Sequence, residues 1–166
     1  DTVSLANPAA TSLESLYSRE FTTPARILEI GEVATPTQFG PYFPDEGHLT
    51  FIHRLAFRDD IPWSYGTLYY PRRFAEKLTE ERLAHFPTYR LLRELYGLKL
   101  VRSHFEAKAV AAASDVASFL DIDPFSAALA LSCVTFDDTG AAVGAFEMTF
   151  RGDPFIFSFE TLHELG

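Results

Sequence analysis

The sequence predicts an α+β fold, a mainly antiparallel sheet flanked by helices. Residues 129–160 carry three apolar runs separated by turn-forming residues. Residues 49–70 carry two more runs about a tight turn. The helical segments between these hairpins do not alternate regularly with strands, a pattern of α+β rather than parallel α/β architecture. At 166 residues and 47% apolar content, the chain is long enough for one domain with its own core.

Taken in order, residues 1–11 (DTVSLANPAAT) are small and polar without periodicity, and residues 12–21 place Leu13, Leu16 and Tyr17 at helical spacing. Residues 1–25 are therefore expected to be a linker or tail with one short helix. Residues 26–33 alternate enough for an edge strand. Pro36, Gly40, Pro41 and Pro44 then impose a loop or a single turn. The next hairpin has strands over 49–57 and 62–70, joined by Arg58-Asp59-Asp60-Ile61. Residues 71–86 form an amphipathic helix through Phe74, Leu78 and Leu83, broken near Thr79. A second helix over 88–96 presents Leu91, Leu92 and Leu95 on one face. Thr88 is expected to cap its start and Gly97 to end it in the left-handed conformation. A long strand over 100–112 follows, then a short helix through Val116, Phe119 and Leu120. Ser114 should cap that helix and Asp123-Pro124 should stop it.

The last third supplies the strongest signal. Asp137-Asp138-Thr139-Gly140 is hairpin punctuation, because Asp tolerates turn geometry and Gly takes a positive φ at low cost. With strand period two, Gly144, Phe146, Met148 and Phe150 share one face, and Ala145, Glu147 and Thr149 share the other. Arg151-Gly152-Asp153-Pro154 reverses the chain, and Phe155, Phe157 and Phe159 line a third strand expected to join the same antiparallel sheet. Residues 161–166 read as a tail.

Several chemistries find no support in these residues. The formal charge of −9 opposes direct binding to nucleic acid or anionic lipid. No apolar run reaches the ~18 residues a membrane span needs. Cys133, the single cysteine, lies in an apolar strand as a buried structural thiol and is compatible with a reducing cytoplasm. The histidines at 48, 53, 85, 104 and 163 show no i, i+4 pairing, so no metal site is argued. Phosphate loops, dinucleotide fingerprints and Gly-x-Ser-x-Gly elbows are lacking. Asp59-Asp60 and Asp137-Asp138 are better explained as turn residues than as paired catalytic carboxylates. The residues predict neither an enzyme nor a cofactor.

A family resemblance rests on residues in order. An Arg-bearing strand precedes a turn at Pro62 and a strand ending in Tyr70-Pro71. Next come Tyr89-Arg90-Leu91-Leu92-Arg93-Glu94-Leu95-Tyr96-Gly97 and a short helix before Asp123-Pro124. An Asp-Gly-type hairpin and Phe150-Arg151-Gly152-Asp153 complete the set. Over residues 26–160 this resembles the UTRA domain, the effector-binding and dimerising half of GntR-type transcriptional regulators of the histidine-utilisation-repressor (HutC) subfamily. The resemblance implies a chorismate-lyase-like fold, a cytoplasmic homodimer and a small-molecule pocket between sheet and helices. Operator DNA would be bound only through an N-terminal winged helix-turn-helix domain. Residues 1–25 are too short for that domain, so the chain is expected to be the effector half alone.

The resemblance also orders the pocket residues. Members that bind phosphorylated sugars carry Arg-x-Arg on the first hairpin strand; here Arg54 matches the first arginine and Ala56 replaces the second. Two sugar-binding glutamates align with Gly66 and Gly144. Tyr89 matches a family tyrosine, and Phe150 stands where a pocket tyrosine often is. The expected ligand-binding set is Arg54, Ser64, Gly66, Tyr89, Gly144, Phe146, Met148 and Phe150. A guanidinium clasps a carboxylate bidentately, so Arg54 is the anion anchor for a small acid with an aromatic or aliphatic body. Structural roles stay open beside these. Arg54 pairs with Glu106 or Glu147, the aromatics and Met148 are plain core, and the glycines mark bulges or close packing. Trp63 and Tyr65 would face the far side of the sheet, where dimer contacts form. The rival functions are a chorismate-lyase-like enzyme and a dimerisation module without ligand.

Overall fold

The computed structural model describes residues 3–5, 25–153 and 157–159 of the chain. The expected helix over 12–21, Phe155 and the tail at 161–166 lie outside them. Twelve helices and strands are labelled in chain order. β1 is Val3–Leu5, β2 Ala25–Ala34, β3 His48–Arg58 and β4 Ile61–Tyr70. α1 is Arg72–Ala75, α2 Glu80–His85 and α3 Thr88–Tyr96. β5 is Leu100–Ala111, α4 Ser114–Leu120, β6 Ala127–Asp137, β7 Ala142–Arg151 and β8 Phe157–Phe159.

The main sheet has the order β2-β3-β4-β7-β6-β5, and every neighbouring pair is antiparallel. Two meanders thus meet along β4 and β7, the centre of the sheet. The β3–β4 turn is built from Asp59 (φ 50°) and Asp60 (φ 63°). Two positive φ values in a two-residue connection give a turn whose twist matches the strands, and Asp tolerates that region. In the β6–β7 turn the Asp137 carboxylate accepts from the Thr139 N–H at 3.0 Å and the Ala141 N–H at 3.1 Å, and Gly140 sits at φ 85°.

Helices α1 to α3 cover one face of this sheet. Thr79 separates α1 from α2 and caps α2 by accepting from the Arg82 N–H. Leu78, Leu83, Leu91 and Leu92 are buried from that layer, against Leu68, Leu131, Phe146, Met148 and Phe150 from the sheet. Burial of each such side chain is worth about 1.5–3 kcal/mol. Gly97 ends α3 at φ 65°. On the opposite face α4 lies near β4, with the Phe119 ring stacked on Tyr65 at 4.3 Å. A single 3-10 turn at Gly40–Tyr42 brings Phe39 and Phe43 onto Leu49, Val134 and Ala145.

Four expectations are corrected. The third apolar run does not extend the main sheet, because β8 pairs with β1 in parallel as a separate two-stranded sheet. The expected N-terminal tail therefore contributes a strand. Trp63 lies in the helix-covered core, edge-on to Phe150 at 6.1 Å. The cause is a register shift between Ala56 and Phe57 that inserts Trp63 as an extra residue opposite them. Thr88 and Ser114 are the first helical residues rather than side-chain caps. Pro87 and Ala113 occupy the cap positions, and Asp121 in the left-handed region (φ 52°), before Asp123-Pro124, ends α4.

Candidate functional site

Alternation along four strands decides which side chains meet beneath α3. Arg54 of β3 stands opposite Gly66 of β4, Gly66 opposite Met148 of β7, and Met148 opposite Leu131 of β6. Arg54 is therefore on the helix-covered face, where its residue is only 7% exposed. Beside it opens a hollow floored by Leu68, Tyr70, Gly144 and Phe146 and roofed by Thr88, Tyr89 and Leu92 of α3. Together with its open mouth the hollow spans about 490 Å3 of space not filled by atoms, open solvent included.

The electrostatics favour an anion. Burial lowers the Arg54 pKa to about 10, with neighbouring Tyr70 opposing the shift, so the group is cationic at neutral pH. Burial pushes the Tyr70 phenol up, the Thr88 hydrogen bond and Arg54 opposing, so Tyr70 stays neutral beside it. Thr88 and Tyr89 begin α3, so its first N–H groups lie at this end of the hollow. They add the positive end of a helix dipole to the roof of the hollow.

Of the sequence-derived set, the hollow brings together Arg54, Tyr89, Gly144 and Phe146. Ser64, Met148 and Phe150 are buried in the same layer but outside the hollow's lining. The glycines serve close approach. A Cβ on Gly66 would run into the Glu147 carbonyl oxygen and lie 2.6 Å from the Met148 Cα, so the adjacent strand occupies that space. A Cβ on Gly144 would meet the Tyr70 ring, 2.6 Å from its Cδ1. The two carboxylates considered as partners of Arg54 lie on the other face. Glu147 stands opposite Thr67 and Ser132 and accepts from Gln38 Nε2 at 2.9 Å, and Glu106 lies 3.8 Å from His104.

Sequence reasoning missed Tyr70, Thr88, Leu68 and Leu92 as lining residues. The signal for two of them was present. Ser64, Gly66, Leu68 and Tyr70 fall on one strand face by the same alternation that placed Gly66 there.

The second face carries a broader open groove, lined among others by Tyr65, Thr67, Glu106, Lys108, Ser132 and Glu147. Among the described residues no group of three or more His, Cys, Asp or Glu side chains has a metal-binding arrangement. No helix among them is long and apolar enough to cross a membrane.

Comparison with known proteins defines the class. The UTRA domain model matches residues 22–156, most of the chain, so the chain belongs to the UTRA family, a domain of GntR-family transcriptional regulators. The effector domain of PhnF from Mycobacterium smegmatis has a TM-score of 0.75 at 17% identity, covering 84% of this chain and 86% of that one. A GntR-family transcriptional regulator from Enterococcus faecalis has a TM-score of 0.74 at 20% identity, covering 82% and 99%. YydK from Bacillus subtilis has a TM-score of 0.77 at 15% identity, and the chain spans 86% of itself and 63% of YydK. At these identities the likeness is one of fold, the chorismate-lyase-like arrangement of sheet and helices. No curated protein matches the chain.

Proposed function

We propose that this domain senses a small monocarboxylate with an aromatic or aliphatic body and transmits its occupancy to a DNA-binding domain outside this sequence. The observation that carries the reading is Arg54, a guanidinium buried in a mainly apolar hollow under the start of α3. A carboxylate matches one guanidinium in charge and in its bidentate geometry. A phosphate dianion asks for more positive charge than one arginine and a helix terminus supply. Ala56 stands where a second arginine would be.

Among the described residues no carboxylate or histidine lines the hollow, and Glu106 and Glu147 lie across the sheet. The role is binding. Coupling of about 1–3 kcal/mol between effector and operator is enough for a 5- to 150-fold change in DNA affinity. It requires that the ligand prefer one arrangement of a homodimer to the other. Titration calorimetry of the chain against aromatic, aliphatic and phosphorylated acids tests the ligand class. Binding of monocarboxylates supports it, and binding of hexose phosphates alone overturns it.

A further inference from the structure

The proposed ligand site includes one residue that the family pattern marked only as a strand end and that the expected ligand-binding set left out. Tyr70 ends β4 at the edge of the hollow, 7% exposed, on the face that carries Arg54. Its ring edge lies directly against the backbone of β7 at Gly144, where any side chain would collide with it. Its hydroxyl is hydrogen-bonded to the Thr88 side chain in the first turn of α3. The ring thus lies between the sheet and the helix and forms part of the hollow's wall.

We propose that Tyr70 is the size-determining residue of the site: its ring, admitted by Gly144 and tied to Thr88, limits the acid bound at Arg54 to a body of about one six-membered ring. The inference rests on the carboxylate reading above and goes beyond it in naming what sets the limit. Ring and glycine form a matched pair. A smaller residue at 70 leaves the space over Gly144 empty and deepens the hollow. A methyl group at 144 pushes the ring into the hollow and makes it shallower. The Thr88 hydrogen bond holds the ring without being needed for its bulk, so phenylalanine at 70 preserves the size limit.

The test is a calorimetric titration of butyrate, benzoate and 2-naphthoate into the unsubstituted chain, Tyr70→Leu, Tyr70→Phe and Gly144→Ala, each checked for folding by circular dichroism. The unsubstituted chain should prefer benzoate to 2-naphthoate by about tenfold or more, the discrimination a shaped apolar wall gives. Tyr70→Leu should bring that ratio to about one or reverse it, and Tyr70→Phe should keep it. Gly144→Ala should move the preference from benzoate toward butyrate. A purely structural tyrosine would weaken all three acids in parallel, so an unchanged ratio in folded Tyr70→Leu overturns the proposal. If Tyr70→Leu does not fold, Gly144→Ala decides, and an unaltered preference there overturns it too. Failure of every acid to bind the unsubstituted chain overturns the carboxylate reading and the size limit with it, an outcome distinct from a size limit that fails alone.

Discussion

The two faces of the six-stranded sheet are made by the same residues taken alternately, yet they differ in kind. On one face, three helices bury Leu68, Phe146, Met148 and Phe150, and a single guanidinium is enclosed beside them. On the other, α4 and a 3-10 turn cover the ends, and between them Thr67, Ser132, Glu106, Lys108 and Glu147 line an open groove. The covered face spends burial on a cation, which is costly unless something favours the charged form. The open face distributes both signs of charge in contact with water, where each pair is worth little. Polarity alone would point to the open groove as the binding site. The enclosed guanidinium points instead to the covered face, where a ligand anion would meet a cation shielded from water.

The largest expected effect follows from that contrast. Arg54→Met should weaken monocarboxylate binding by about 100-fold or more, the loss of a charge-assisted bidentate contact, measured by calorimetry. A thermal melt of the same variant separates lost affinity from lost stability. Next are the two glycines, which separate packing against backbone from packing against a movable ring. Gly66→Ala should destabilise by about 1–3 kcal/mol in a denaturant titration, because its methyl meets the fixed strand β7. Gly144→Ala should cost less, as only the Tyr70 ring has to move. Equal costs would remove the distinction.

The pH dependence is smaller within the usual range. The anion binds the protonated form of Arg54, whose pKa burial lowers to about 10. Affinity should therefore stay level from about pH 6 to about pH 9 and fall as pH rises through that value. Stability of the unliganded chain runs the other way. A cation with a lowered folded pKa burdens the fold below that pKa, and the burden is relieved as pH rises between the folded and unfolded values. A binding profile that falls near neutrality would place the anchor on some other group. The smallest effect belongs to the open face. Glu147→Gln should alter stability by less than about 0.5 kcal/mol and leave carboxylate affinity unchanged, by thermal melts and calorimetry. A large loss of binding there would invert the comparison between the faces.

Much of this was legible in the residues because local chemistry decided it. Asp59 and Asp60 adopt the positive φ values a two-residue hairpin needs, Gly97 ends α3, and Thr79 breaks the helical stretch after Pro71. Period-two alternation placed Gly144, Phe146, Met148 and Phe150 on one face without any coordinates, and the family resemblance added Arg54 to it. Non-local pairing was not legible. The shift at Ala56/Phe57 moved Trp63 into the core, and one extra residue leaves no trace in an apolar pattern. Strand Phe157–Phe159 chose a parallel partner some 150 residues away over its nearest neighbour. The role of Gly144 needed the Tyr70 ring to be seen beside it, since a glycine in a strand signals close approach without saying what approaches.

The face that binds can be observed directly by nuclear magnetic resonance, following the Arg54 side-chain Nε–H and the backbone amides during a benzoate titration. The account predicts saturable shifts at Arg54 Nε–H, at the Thr88 and Tyr89 amides and around Gly144, with Thr67, Ser132 and Glu147 nearly still. Shifts confined to those last three residues, with Arg54 Nε–H unmoved at saturation, would contradict it.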